Sequence, residues 1–417
     1  MTKLILATES FPYGKGEKSF ILPELKRLQQ YYDVTILSHA NREQLESGIC
    51  GNMPDNIKMI CYGRPELSAA DKLKAFVLYL LDRDGRREIK EILREKKNRK
   101  ERIYQSLSFY AQTLSDQRKL RQSGILSTHE QLIYYSYWYT YYCYSVVRES
   151  RKYSNIRVIT RTHGVDLYHE RIPGNRQPFK HQMETRLDAI VFACHYGKEY
   201  YREHIAQSME PTSLHVCRVG TEPAQRREKQ ENRETWHLVS CSSAIPLKRI
   251  PLIIDGLALV NQHKIHWTHI GDGSDLRHLT DYAGDKLDPK DNITYTFRGY
   301  MDNDKVTQYY MDHPVDCFIT TSSTEGGSPV SIQEAMRQGI PIIGTDVGGI
   351  TEMIRGNGLL LPSDPDGETV AAAICRMLSF DENTLKAMRD ASYAIWRQEF
   401  CIDVAFRNLM DVFGKIN

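Results

Sequence analysis

One alternation constrains the fold of this chain more than any other feature. Short β-rich apolar runs are each followed by a stretch with helical spacing, and the pattern recurs along the whole length. "KLILAT", "SFILPELKRLQQYY" and "DVTILSH" give strand, helix, strand within the first forty residues. That order specifies a parallel sheet, because parallel neighbours need a long crossover between them. "RVITRTHG" and "DAIVFACH" add strands in the first half; "WHLVSCSS", "IHWTHIGDG", "ITYTFRG", "DCFITTS" and "PIIGTD" add more in the second, with helix-sized gaps. The chemistry of such sheets gathers at the C-terminal ends of their strands.

A chain of 417 residues exceeds what one hydrophobic core serves, so two domains are expected. Apolar content of 41% with 26% charged residues excludes disorder and collagen-like repeats. The net charge of +2 conceals an asymmetry: residues 1–222 carry 35 basic and 26 acidic side chains, and the rest 20 and 27. A basic half suits an anionic neighbour, either a phosphate-bearing substrate or a membrane surface. No nucleic-acid module is recognisable, and no nucleic-acid partner is expected. "TEPAQRREKQENRET", residues 221–235, is polar, unpatterned and placed where the charge changes sign, which marks a linker. Nine cysteines without a C-x-x-C pair read as reduced and mostly buried. No window approaches the ~18 apolar residues of a spanning helix, so a cytoplasmic protein, peripheral at the membrane at most, is expected.

Residues 64–150 show no clear strand and are expected to form a helical insertion. "KLKAFVLYLLDR" is amphipathic, and "GRREIKEILREKKNRKER" carries nine basic and four acidic residues around a helix. That second piece reads either as a solvated helix with i,i+4 pairs or as a docking site for anionic lipid headgroups. "IYYSYWYTYYCYSVV", residues 133–147, puts aromatics on every helical face and predicts a helix buried among its neighbours, with stacking on a sugar as the other reading.

The richest stretch is "TSSTEGGSPVSIQEAMRQGIPIIGTDVGG", residues 321–349. A strand precedes it, "SPVSIQEAMRQG" has helical spacing, and Glu325, Gly326 and Gly327 fall in the loop between. Free amides and a helix N-terminus there favour an anion such as phosphate. Glu334, early in the helix, is placed to bind hydroxyls such as a ribose diol.

These residues, with "AMRQGIPIIGTDVGGITEMI", resemble the nucleotide-sugar signature of the family 4 retaining glycosyltransferases of glycosyltransferase group 1. "HGVD" at 163–166, "PLKRIPLIIDGL" at 246–257, "HIGDGSD" at 269–275 and "GNGLLLP" at 356–362 follow the family's order. The resemblance implies the GT-B fold: two facing α/β Rossmann-like domains with parallel sheets and a C-terminal helix crossing back to the first. It places an acceptor domain at 1–222, a nucleotide-sugar domain at 223–390, and returning helices at 391–417. It implies a UDP- or GDP-sugar donor, a saccharide or lipid-linked saccharide acceptor, and a role in surface polysaccharide or glycolipid assembly. It implies no metal and no other cofactor. Lys248 would neutralise the departing diphosphate, Glu325 would hold the sugar's hydroxyls, and His163 would meet the sugar from the first domain. Arg249, Gly326, Gly327, Ser328, Pro329 and Val330 would contact the donor with Glu334, which takes the ribose. Gly16 joins them from "ESFPYGKGEKSF", where Gly14 brings backbone close to substrate and Lys15 and Glu17 are candidate ligands; a plain strand-to-helix turn is the other reading.

Three positions depart from the family. Eight residues separate Glu325 from Glu334, one more than usual, so either the loop is longer or Gly326 stands at the family's first glutamate. Ser243 replaces an Arg, with Arg249 or Arg298 as substitutes, and Cys194 replaces a serine. A nucleotide-sugar epimerase and a catalytically impaired donor-binding subunit remain alternative readings. "DRD" at 82–84 imitates the acidic triplet of metal-dependent enzymes but sits in a helical, charged context. No metal-ligand spacing, P-loop or G-x-S-x-G elbow occurs.

Overall fold

The parallel sheets form as the alternation predicts, and their strand order decides which loops meet. The structure, a computed structural model, describes residues 1–14, 16–51, 53–54, 57–207, 213–226 and 234–416. Lys15 and residues 227–233 of the expected linker lie outside them. The chain divides into two compact units: Met1–Cys217 with Phe406–Asn417, and Arg218–Ala405. The sequence reading put the joints at 222/223 and 390/391.

The first unit carries a seven-stranded sheet of β1 (Lys3–Thr8), β2 (Asp33–Ser38), β3 (Lys58–Cys61), β4 (Leu132–Ser136), β5 (Ile156–Thr162), β6 (Ala189–Phe192) and β7 (Leu214–Val216). Their order is β3-β2-β1-β4-β5-β6-β7, all parallel. The order reverses between β1 and β4, so the loops after those two strands diverge and open a crevice.

Here the structure corrects the helical expectation for 64–150. Helices Ala69–Leu81, Arg83–Arg94 and Arg99–Ser123 do form, but "LIYYS" is the central strand β4, and the helix begins only at Tyr141. All five residues of β4 are buried. A parallel strand covered on both faces shows no polar alternation, so periodicity cannot separate it from a buried helix. The aromatic run is buried as expected, in two different backbone states.

The helix Ile402–Ile416 completes this unit from Phe406 onward. Phe406, Leu409, Val412 and Phe413 enter the same core cluster as Leu4, Leu6 and Leu25. Each such burial contributes about 1.5–3 kcal/mol.

The second unit holds a six-stranded parallel sheet of β8 (Trp236–Cys241), β9 (Ile265–Ile270), β10 (Ile293–Phe297), β11 (Cys317–Thr320), β12 (Ile342–Thr345) and β13 (Gly358–Leu361). The order β10-β9-β8-β11-β12-β13 reverses between β8 and β11. Among the described residues, no helix is long and apolar enough to cross a membrane.

Candidate functional site

The second unit's crevice is built from the loops after β8 and β11. Past β8 the chain runs through a short 3-10 turn, Pro246–Lys248, into the helix Ile250–Leu259. Past β11 it runs through the glycine loop into the helix Val330–Arg337. Lys248 and Glu325 meet here: the ammonium pairs with Glu325 Oε1, which also accepts from Ser322 Oγ at 2.7 Å. Their side chains are only 18% and 14% exposed, so the charges interact through a medium less polarisable than water.

The helix Val330–Arg337 starts after Pro329 with no side-chain cap. Its first-turn amides therefore point out of the end that follows Gly326, Gly327 and Ser328, which is the geometry of an anion site. The second glycine pair holds this loop in place. A Cβ on Gly348 would lie 1.9 Å from the Glu325 carbonyl oxygen, and one on Gly349 2.1 Å from that of Gly327. Gly348 is also left-handed at φ +50°. Two of the four glycines are thus required by packing between loops.

Glu334 is buried, and its Oε1 accepts from Asn303 Nδ2 at 2.8 Å. Burial raises its carboxyl to about 7, against the pull of Asn303 and Arg337. The half-buried Cys241 thiol at the end of β8 is pushed up by desolvation, further by Glu334, and down by Lys248. Both charges therefore reach the same strand end.

Arg249, expected among the donor contacts, is committed elsewhere. Its guanidinium donates to the carbonyls of Thr321, Ser322 and Ser363 at 2.7, 3.0 and 2.7 Å, and to Asp364 Oδ1 at 2.7 Å. It clamps the start of the glycine loop, with four of its five N–H donors engaged. Arg298 is exposed, 5.8 Å from the Tyr309 ring centroid. Three residues escaped the sequence reading: Asn303, Ser322 and Arg218. Arg218 bridges Glu352 and Glu399 at 2.8 and 3.3 Å and reaches Ser328 Oγ at 3.4 Å. It lies 110 residues from that loop, and nothing local marks it.

His163 and Gly16 belong to the first unit. His163 directly follows β5; its ring lies 4.2 Å from that of Trp138 and 5.5 Å from that of Tyr137, centroid to centroid. Its two nitrogens are buried without a partner among the described residues. Burial, with the charge of Arg161, lowers its pKa to about 3, so the imidazole is neutral. Asp166 ties the loops together, accepting from the amides of His163 and Tyr139 at 2.7 Å each.

Gly16 is exposed, and a Cβ there would meet nothing within 4 Å. Glu17 is not a free ligand: it is buried and accepts from the Ser10 and Phe11 amides at 2.5 and 2.7 Å, from Ser10 Oγ at 2.8 Å, and from Trp138 Nε1 at 2.5 Å. The loop after β1 folds around its own carboxylate. Beside it lies a cavity of about 390 Å³ lined by Glu9, Arg64, Gln105, Trp138, Tyr141 and Gln177 among others. Burial raises the Glu9 carboxyl above its ordinary range.

Known proteins show the same organisation. Amylovoran biosynthesis glycosyltransferase AmsK of Erwinia amylovora is 23% identical over 221 residues. The match spans 51% of this chain and 53% of that protein, so the chain covers about half of its relative's length. The structure of Anabaena Alr3699/HepE in complex with UDP and glucose superposes with a TM-score of 0.67 at 12% identity, covering 99% of this chain and 100% of the other. The apo form of the lipopolysaccharide outer core galactosyltransferase WaaB gives 0.69 at 14% identity, covering 99% of each. These likenesses establish the GT-B type of fold, two α/β Rossmann-like domains with parallel sheets. Residues 236–379, the span from β8 to the edge of the helix after β13, match the family model "Glycosyl transferases group 1", and the second unit therefore carries a domain of that group.

Proposed function

We propose that the protein is a retaining glycosyltransferase that moves a sugar from a nucleoside diphosphate donor to a hydroxyl acceptor in the assembly of a surface polysaccharide or glycolipid. The observation that carries this reading is the convergence of Lys248, Glu325, the uncapped helix and buried Glu334 on one switch-point crevice. The diphosphate lies on the amides after Gly326, and Lys248 exchanges Glu325 for the phosphate oxygens that gain charge as the glycosidic bond breaks. Glu325, released, accepts from sugar hydroxyls; Glu334 accepts from the ribose. No metal is required, because the ammonium and the helix end supply the positive field. UDP is the first donor to test, since a neighbour of the same fold is complexed with it. The acceptor occupies the aromatic and polar cavity beside Glu9 and Trp138, where a sugar ring stacks and its hydroxyls find carboxylate and amide partners.

The test is a panel of UDP- and GDP-sugars, with and without a chelator, scored by thermal stabilisation and then by product analysis with saccharide acceptors. Stabilisation by one nucleotide and an α- or β-product matching its donor support the reading. Epimerised donor without any acceptor overturns it. A second reading, a donor-binding subunit without turnover, is favoured by Ser243 and by the commitment of Arg249, which leave Lys248 and Arg218 near the phosphate loop. Saturable donor binding with no transfer to any acceptor in an extract selects it.

A further inference from the structure

The helix Ala69–Leu81 is apolar on two opposite sides, and only one is covered. Ala75 and Tyr79 are buried, Tyr79 within the main core cluster of the first unit. On the other side Leu73, Phe76, Val77, Leu80 and Leu81 are 67, 46, 46, 44 and 65% exposed. Their spacing, i, i+3, i+4, i+7, i+8, forms a single stripe along the helix. Isolated exposed leucines need no explanation, but a contiguous stripe of five marks an interaction surface. At 100° per residue, Lys72 and Lys74 fall on the two edges of that stripe, and both are exposed.

The charge continues beyond the stripe. Exposed Arg83, Arg86, Arg87, Lys90 and Arg94 follow on the next helix, where Arg87 pairs with Glu91 at 3.1 Å. Arg83 and Arg87 also line a cavity of about 410 Å³ in which six arginines and one lysine face three carboxylates. The Nε atoms of Arg148 and Arg186 are buried there without a partner among the described residues. An apolar strip rimmed by lysines and followed by a cationic recess matches a bilayer with acyl chains below and anionic phosphates above. A protein partner would need acidic residues around its own apolar groove; a second copy would set this basic face against itself.

We propose that the exposed stripe of the helix Ala69–Leu81 docks the first unit on an anionic lipid surface, with its apolar side chains in the headgroup boundary and the arginine recess holding a lipid phosphate. This surface is distinct from the crevices at the strand ends. The basic piece at 85–102, where the sequence suggested lipid contact, supplies charge, while the inserting residues precede it.

The test is sedimentation of the full chain with vesicles of equimolar phosphatidylglycerol and phosphatidylcholine, against phosphatidylcholine alone. The chain is expected to pellet with the anionic vesicles, to stay in the supernatant when the vesicles are neutral, and to be released from the anionic ones as salt is raised. Phe76→Asp with Leu80→Asp should weaken binding at least about tenfold with an unchanged thermal midpoint. A Leu73→Trp variant gives a second readout, a blue shift of emission on anionic vesicles. Equal binding to both vesicles, no binding to either, or a dimer in solution that Phe76→Asp dissociates would each overturn the proposal. No donor or acceptor is present in this assay, so its outcome is separate from that of glycosyl transfer.

Discussion

Each sheet reverses its strand order once, and each reversal is flanked by a loop that carries a glutamate, yet the two glutamates do opposite things. Glu17, after β1, accepts from the amides of its own loop and from Trp138 and is sealed from solvent. Glu325, after β11, faces Lys248 and Ser322 and keeps part of its surface open. The cavity of the first unit is lined by aromatics and amides with Glu9 and Arg64 among them, the second crevice by the pair of Lys248 and Glu325. Similar topology thus yields one pocket walled by aromatic rings and one walled by a part-exposed ion pair. What distinguishes them is whether the loop's carboxylate is consumed locally.

The largest expected effect tests the charged crevice. On the function proposed above, Lys248→Ala should lower kcat by about a hundred- to a thousandfold with a smaller change in donor affinity, because a charge that meets a departing diphosphate matters most in the transition state. An unchanged kcat in steady-state assays would remove the lysine from the mechanism. Next, Glu17→Ala should cost about 2–3 kcal/mol in chemical denaturation, from several charge-assisted hydrogen bonds lost at a buried position. If Glu17→Ala leaves stability intact and abolishes transfer, the contrast between the two glutamates collapses.

A third test uses Glu334. Its folded pKa, raised from 4.5 to about 7, means that the folded state holds the proton more tightly than the unfolded chain. Its contribution to stability is therefore present below about pH 4.5 and declines as pH rises to about 7. Glu334→Gln should flatten that part of the stability curve. Donor affinity should move the other way, rising several-fold from one pH unit below 7 to one above it as the carboxylate appears. Calorimetric titration at the two pH values measures it. The smallest effect is a null one: His163, with its pKa near 3, should show no protonation by NMR between about pH 5 and 8. Titration in that range would show that His163 is not buried as the structure places it.

The parallel α/β plan was legible because strand and helix periods alternate, and the glycine loop was legible because its residues are contiguous. Strand β4 was not: buried on both faces, its tyrosines and isoleucine carry no alternation to distinguish it from helix. Arg218 and Asn303 were invisible for another reason, since their partners Ser328 and Glu334 are distant in sequence and only the fold brings them together. Arg249 shows the converse. It sits beside Lys248 and looks like a phosphate ligand, but three carbonyls and Asp364 claim its donors.

The helix Ile402–Ile416 has a consequence for synthesis. Phe406, Leu409, Val412 and Phe413 belong to the core of the unit whose other residues are translated first. While the ribosome is still making the second unit, that earlier core has a groove where these side chains will sit. A chain that stops just short of residue 406 would therefore carry a complete second unit beside a first one with an unfilled core.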